Sequence, residues 1–235
     1  MQKKPTFRQA LTRTGRKIRT VNALTDLNLE IPYGSVLGVI GANGAGKSSL
    51  MRVVAGIVPP TAGRVEVYGQ VSTLLSLGVG FNARLTGREN VILGGLAAGL
   101  TRAEIEEKFS AIADFADIGE AIDSPMKTYS AGMYSRLAFA VAVVVEPDVL
   151  IVDEALSTGD AKFKKKSLEK IKTLRGENRA IILVSHALAT IKEICNDVIW
   201  LDKGKIVMRG NPDEVVAAYK ESLQVAKSSS ADEDL

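Results

Sequence analysis

Three short runs of consecutive apolar residues punctuate the chain, at residues 36–40, 149–152 and 180–184. Each run is rich in Val, Ile and Leu, is bounded by polar or glycine-containing segments, and lacks the apolar–polar alternation of a half-exposed strand. Strands that are buried on both faces have this pattern, and they occur in parallel sheets covered by helices. The hydrophobic pattern therefore predicts an α/β fold built around a parallel sheet.

Helical signals lie between and after these runs. Thr101 and Glu104 have the spacing of a capping box ahead of an amphipathic helix that extends to about Asp117. The apolar face of that helix is expected to comprise Ile105, Phe109, Ile112, Ala113 and Ala116. Ser130 is a candidate N-cap for an apolar helix through Val145. A hairpin is predicted over residues 198–209, followed by a helix with Asn211 as N-cap and Pro212 in its first position.

Length and composition narrow the class of protein. The chain has 235 residues, enough for one core-bearing domain with an insertion. The single cysteine, Cys195, excludes an internal disulfide and is expected to be a buried apolar residue in a reducing compartment. The longest apolar run, residues 137–145, is shorter than the ~20 residues of a membrane span, and the N-terminus has no signal-peptide pattern. Any membrane role is therefore expected to require a partner.

Charge is uneven at the two ends. Residues 1–20 hold seven Lys or Arg and no acid, which indicates a basic arm that is either a solvated surface or faces anionic lipid or an anionic substrate. Residues 226–235 are polar and acidic, so a disordered tail is expected there.

A glycine-rich segment, GANGAGKS at residues 41–48, follows the first predicted strand. Its glycines allow backbone N–H groups to curl around phosphate oxygens at the start of a helix. Lys47 is predicted to reach the β- and γ-phosphates, and the Ser48 hydroxyl to ligate Mg²⁺. The candidate nucleotide-binding residues are Gly41, Asn43, Gly44, Ala45, Gly46, Lys47, Ser48 and Ser49.

Two acids end the second predicted strand. Asp153 is expected to hold Mg²⁺ directly or through water, and Glu154 to act as general base on the attacking water. Adjacent acids at a strand end are more often a solvated turn, and the phosphate-binding segment upstream favours the hydrolytic alternative. His186 ends the third strand, at the sheet edge where nucleotides bind, and is a candidate γ-phosphate contact. Lys47, Glu154 and His186 are the catalytic candidates.

Together these motifs resemble the ATP-binding cassette family over nearly all of residues 20–220. Residues 41–48 resemble its Walker A motif, 149–154 its Walker B motif, and 129–133, YSAGM, a degenerate form of its LSGGQ signature. Residues 157–160 match its D-loop, and His186 its switch histidine. The resemblance implies ATP and Mg²⁺ as cofactors and a P-loop NTPase fold with an N-terminal antiparallel β region. It further implies a RecA-like core of residues 21–85 and 146–210, a helical signature subdomain of residues 86–145, and a C-terminal helix over residues 211–225.

The resemblance also implies partners. In this family the signature meets the γ-phosphate held by the P-loop of a second subunit, and this chain has one of each motif. Ser130, Gly132 and Asp160 are therefore expected to complete the nucleotide site of a second copy in a C2 homodimer. An integral membrane permease is expected to dock near residues 74–90, and no nucleic-acid partner is expected.

Two departures from the family pattern stand out. The Q-loop glutamine is expected near residues 77–78, but the nearest glutamine is Gln70. An aromatic residue that stacks on adenine is also missing, because none lies between Phe7 and Tyr33. Base recognition is left to Phe7, to an aliphatic residue such as Val21, or mostly to the phosphates.

Residues 74–90 and 129–142 are similar to the cassettes that export lipid-linked polysaccharides such as O-antigen and teichoic acid. The implied function is ATP-driven export of such a glycan through a separate permease, at the cytoplasmic face of the plasma membrane, with only indirect contact to the glycan. The alternatives are a cassette for a drug or another lipid, a soluble cassette ATPase of DNA repair or translation, and a P-loop kinase or GTPase.

Overall fold

The computed structural model describes residues 21–74, 81–153 and 160–232, with side chains described up to Val225. Its sheet has the strand order β2-β3-β4-β1-β5-β6. Every pairing is parallel except that of β5 with β6, which is antiparallel. The predicted parallel sheet is confirmed, with strands β1 Val36–Ile40, β2 Val71–Thr73, β3 Val149–Asp153, β4 Ala180–Val184, β5 Asp197–Asp202 and β6 Lys205–Gly210.

Consecutive residues of the central strands point to opposite faces of the sheet, and both faces are buried. Val36, Leu150 and Ile181 belong to one hydrophobic cluster. Their chain neighbours Leu37, Ile151 and Ile182 belong to a second cluster on the other face. Each such side chain contributes about 1.5–3 kcal/mol when fully buried. This two-sided burial explains why the strands appear in the sequence as continuous apolar runs.

Seven α-helices are described, and their bounds are α1 Lys47–Val54, α2 Gly87–Ala97, α3 Arg102–Ala116, α4 Ala131–Val144, α5 Ala161–Gly176, α6 Leu188–Ile194 and α7 Pro212–Asp232. The predicted caps are confirmed: Thr101 and Glu104 form the capping box, Ser130 caps α4, and Asn211 Oδ1 accepts from Asp213 N at 2.8 Å. Within the described ranges, none of the helices combines the length and hydropathy that crossing a bilayer requires.

The elements between Thr86 and Val145 are helical and have a core of their own, built on Val91, Ile112 and Leu137. The expected apolar face of α3 points into it, with Ile105, Ile112 and Ala116 buried. An aromatic trio joins this helical part to α5: the ring centroids of Phe115, Phe139 and Phe163 lie 5.8–5.9 Å apart. The domain boundaries drawn from the sequence stay predictions.

Two expectations differ from the structure. The resemblance implied an N-terminal antiparallel β region, and no strand is assigned in the described residues 21–35. Leu27, Leu29 and Ile31 do alternate and pack on the sheet, but alternation does not specify backbone pairing. The C-terminal helix was expected over residues 211–225, and α7 is assigned to Asp232, while the disordered tail stays a prediction. Extending an existing helix requires less free energy than nucleating one, so a polar segment can follow a packed first half.

Candidate nucleotide-binding site

The glycine-rich loop lies directly on neighbouring backbone. A Cβ atom at Gly41 would collide with the carbonyl oxygen of Leu201 in β5, and one at Gly46 would lie 2.7 Å from Ala23 O. Gly46 also has φ 109°, a left-handed value that favours glycine. The loop therefore needs glycine for backbone geometry and for close approach, and it leads directly into α1 at Lys47.

Lys47 is held inside this loop. Its side chain is buried, and Nζ donates to Gly41 O at 2.7 Å and to Ala42 O at 3.0 Å. A buried ammonium group requires such partners, because leaving water without them is costly. The two carbonyls thus position a positive charge where the loop amides and the start of α1 already favour an anion.

A cleft of about 520 Å³ opens above the loop, and both Asp153 and His186 line it. The sheet explains how they meet: β1, β3 and β4 are parallel, so their carboxyl ends share one edge. Of the predicted loop residues, those that line the cleft are Asn43, Gly44, Gly46, Lys47, Ser48 and Ser49. Gly41 and Ala45 are buried beneath the loop.

The donor set in this cleft fits a magnesium ion that arrives with a nucleotide. Ser48 and Asp153 offer one hydroxyl and one carboxylate on the same cleft wall. Mg²⁺ prefers oxygen ligands and is commonly bound by one or two protein groups together with water and substrate phosphates. In the described part of the chain, no group of three or more His, Cys, Asp or Glu residues is placed to hold a metal by itself.

Ser130 and Gly132 lie elsewhere, at the exposed start of α4. Ser130 Oγ accepts a hydrogen bond from Met133 N at 3.2 Å, and neither residue lines the cleft. Among the described residues, a Cβ atom at Gly132 would meet only Ser130 Oγ, at 3.8 Å. Packing among the described residues therefore does not require glycine at this position. Ser130 and Gly132 also do not reach the cleft that the phosphate loop of the same chain forms.

Asp160 is also outside the cleft. Its Oδ1 caps α5 by accepting from Phe163 N at 2.8 Å, and its Oδ2 accepts from Arg136 Nη2 in α4. Arg136 additionally donates from Nη1 to Asp117 O at 3.1 Å. The role of Arg136 was not predicted from the sequence, although an arginine in a mostly apolar helix could have indicated it.

Other lining residues come from two further segments. Val21, already a candidate for base contact, is 74% exposed and lines the cleft beside Asn22 and Ala23. Lys203 and Gly204, in the turn between β5 and β6, line it as well. No motif connects this turn with the loop, so its participation could not be predicted from the sequence.

Several predicted site residues lie outside the described ranges: Phe7, the Q-loop residues 77–78, Glu154, and residues 157–159. Gln70 does not substitute for the Q-loop glutamine. Its N donates to Asp148 Oδ2 at 2.8 Å and its O accepts from Val149 N at 3.0 Å. These bonds place Gln70 at the amino end of the parallel strands, opposite the edge that holds the cleft.

In the predicted docking segment the structure describes Leu74 and residues 81–90, and the latter form a turn and the first residues of α2. Asn90 is fully buried, and its Oδ1 accepts from Asn82 N at 2.6 Å. Its Nδ2 donates to Asn82 O at 3.0 Å and to Thr86 O at 2.8 Å. Thr86 and Glu89 form a capping box at the start of α2. The buried Asn90 amide therefore holds the turn that leads into the helical part. This role was not predicted from the sequence.

The family model for ABC transporters matches residues 24–157, and the chain belongs to this family. It is 44% identical over 93% of its length to the O-antigen export system ATP-binding protein RfbB of Myxococcus xanthus, and spans 50% of that relative. It is 43% identical to the teichoic acids export ATP-binding protein TagH of Shouchella clausii, covering 90% of this chain and 58% of TagH. It is 37% identical to the O-antigen export system ATP-binding protein RfbB of Klebsiella pneumoniae, and the match covers 88% of this chain and 84% of that relative.

Solved structures show the same fold. An ATP-binding subunit of an ABC transporter matches with a TM-score of 0.76 at 24% identity, covering 88% of this chain and 90% of that one. The cassette MJ0796, in a dimeric post-hydrolysis state bound to ADP and Pi, matches with a TM-score of 0.73 at 20% identity, covering 85% and 94%. The predicted α/β fold of the ABC ATPase type is confirmed.

Proposed function

We propose that this chain is the ATP-binding and ATP-hydrolysing subunit of an exporter of lipid-linked polysaccharide. The observation that carries the ATPase assignment is the cleft in which Lys47, Asp153 and His186 meet at one edge of the sheet. The cargo class is supported by relatives named for O-antigen and teichoic acid export, although the chain spans about half the length of the Myxococcus relative.

The groups that line the cleft, and Glu154 that follows β3 in the sequence, each have a role in cleaving the terminal phosphate. The loop amides and Lys47 bind the β- and γ-phosphates, and Ser48 and Asp153 would hold a Mg²⁺ ion, which would neutralise phosphate charge. Glu154 takes a proton from water as the water oxygen attacks the γ-phosphorus. The bond to the β–γ bridging oxygen breaks, and that oxygen leaves with ADP. His186 contacts the γ-phosphate and orients it.

A second copy of the chain is the first partner, because Ser130 and Gly132 do not line the cleft of their own chain. Ser130 and Gly132 start α4 at an exposed surface, and the open space at Gly132 leaves room for a phosphate held by a second copy. A permease docks near residues 74–90, where Asn90 and the α2 capping box order the described half. The chain then sits at the cytoplasmic face of the membrane through that permease and contacts the glycan only indirectly.

Depletion with complementation tests both parts of the proposal. Depleting the protein should leave lipid-linked glycan on the cytoplasmic face, and wild-type protein should restore export. The Glu154→Gln variant should not restore it, because a general base contributes about 10²–10⁴-fold to the rate. The measurement is extraction and analysis of lipid-linked sugars. An unchanged glycan pool on depletion would refute the polysaccharide cargo and favour a drug or lipid cassette, and restoration by Glu154→Gln would refute coupling to hydrolysis.

A further inference from the structure

The turn between β5 and β6, residues 202–204, is fixed against the phosphate loop. Gly204 N donates to Ala45 O at 2.9 Å, and Gly204 O accepts from Thr25 N at 2.8 Å. A Cβ atom at Gly204 would lie 2.6 Å from Ala23 O, so only glycine allows this approach. These contacts fix the position of the turn relative to the phosphate loop and to the segment that precedes β1.

The sheet places this turn on the opposite side of the loop from the hydrolytic groups. β1 lies between β4 and β5, and it is parallel to both. Asp153 ends β3 and His186 follows β4 on one side, whereas Lys203 follows β5 on the other. A nucleotide extends from its γ-phosphate through the α-phosphate to the base, so a nucleotide whose γ-phosphate lay beside Asp153 and His186 could extend across the loop toward Lys203.

Lys203 has the exposure and charge that such a contact needs. It is exposed, lines the cleft, and forms no ion pair with an acid in the described residues. Its φ of 45° is a left-handed conformation that residues other than glycine rarely adopt. Among the described residues that line the cleft there is no Phe, Tyr or Trp to stack on a base.

We propose that Lys203 is a nucleotide-binding residue whose Nζ donates to the α-phosphate of bound ATP or ADP. The proposal rests on the proposed ATPase function and adds to it a specific contact at the nucleoside end. An ammonium–phosphate contact at an open cleft rim gives a modest, salt-dependent gain in affinity. Since both nucleotides have an α-phosphate, the contact supports ATP and ADP equally and does not discriminate between them.

The test compares two lysines of the same hairpin. Lys205 has the same charge and exposure but lines a different cavity, together with Asp26 and Arg209. The dissociation constants of Mg-ATP and Mg-ADP are measured by calorimetry for wild type, Lys203→Gln and Lys205→Gln. Lys203→Gln should weaken both nucleotides about 3- to 10-fold with an unchanged ATP-to-ADP ratio, while Lys205→Gln should match wild type. The loss should shrink as salt is raised.

Each other outcome overturns the assignment. Equal affinities for Lys203→Gln and wild type, or equal losses for both variants, would show that Lys203 makes no specific contact. A loss confined to ATP would move the contact to the γ-phosphate and refute the α-phosphate assignment. Wild-type protein that binds neither nucleotide would overturn the proposed function together with this inference, whereas the preceding outcomes leave that function standing.

Discussion

Cys195 shows how packing determines the chemistry of a single residue. It follows the end of α6 and is only 6% exposed. A Cβ atom at Gly38 in β1 would lie 3.0 Å from its Sγ, so the thiol packs directly against the sheet. Burial raises the pKa of the Cys195 thiol to about 12. The expectation of a buried, apolar cysteine is confirmed, and the reactive thiolate is scarce at neutral pH.

The raised pKa predicts a loss of stability in alkali. Because the pKa is higher in the folded than in the unfolded chain, the folded state retains the proton between about pH 9 and pH 12 while the unfolded state releases it. The free energy of unfolding should therefore fall by about 1 kcal/mol per pH unit in this window from Cys195 alone. Urea unfolding of wild type and Cys195→Ala at several pH values measures the difference, and parallel pH profiles would contradict it.

At the scale of elements, three cations converge on the C-terminal end of α3. Lys166 Nζ donates to Asp114 O at 2.9 Å and to Phe115 O at 3.2 Å. Arg136 donates to Asp117 O, and the Lys162 ammonium lowers the pKa of the Asp117 carboxyl by hydrogen bonding to it. Cations at this end donate hydrogen bonds to the terminal carbonyls and interact favourably with the negative end of the helix dipole. Together with the aromatic trio, they connect the helical part to α5.

Arg136→Ala should destabilise this junction. The substitution removes the pairing with Asp160 and the bond to Asp117 O, so we expect the free energy of unfolding to fall by about 1–3 kcal/mol. Arg102→Ala is the matched control, because Arg102 pairs with Glu106 on the exposed surface of α3 with side-chain exposure of 73%. It should change stability by no more than about 0.5 kcal/mol. Equal effects in urea unfolding would show that the Arg136 contacts contribute nothing specific.

At the scale of the whole molecule, one chain presents two separate surfaces to which the proposed function assigns a nucleotide contact. The cleft holds the phosphate loop, and the exposed start of α4 holds Ser130 and Gly132. A C2 pair would bring each surface to its counterpart on the other copy, so that ATP lies between them. Nucleotide binding and association of two copies are then thermodynamically linked.

Glu154→Gln should separate binding from turnover and trap this pair. We expect the variant to bind ATP, to lose hydrolysis by about 100-fold or more, and to run at twice the monomer mass in light scattering with ATP. Adding Gly132→Arg should return it to monomer mass without loss of folding, because the space at Gly132 is open within one chain. Near-normal turnover of Glu154→Gln would refute the general-base assignment, and a dimer that survives Gly132→Arg would refute the signature contact.

The sequence by itself determined the features that depend on neighbouring residues along the chain. The buried strands, the caps at Thr101, Ser130 and Asn211, and the phosphate loop are all local patterns of residue type and spacing. They could be read without coordinates because a helix cap or a glycine turn is satisfied within a few residues.

Only the tertiary structure decided which distant segments meet. Lys203 reaches the cleft because β5 lies parallel to β1, and Arg136 pairs with Asp160 because α4 packs beside α5. The buried amide of Asn90 likewise finds its hydrogen-bond partners only once the turn around it has formed. Such contacts depend on strand order and helix packing, which arise from the summed burial of many side chains and leave no fixed spacing in the sequence.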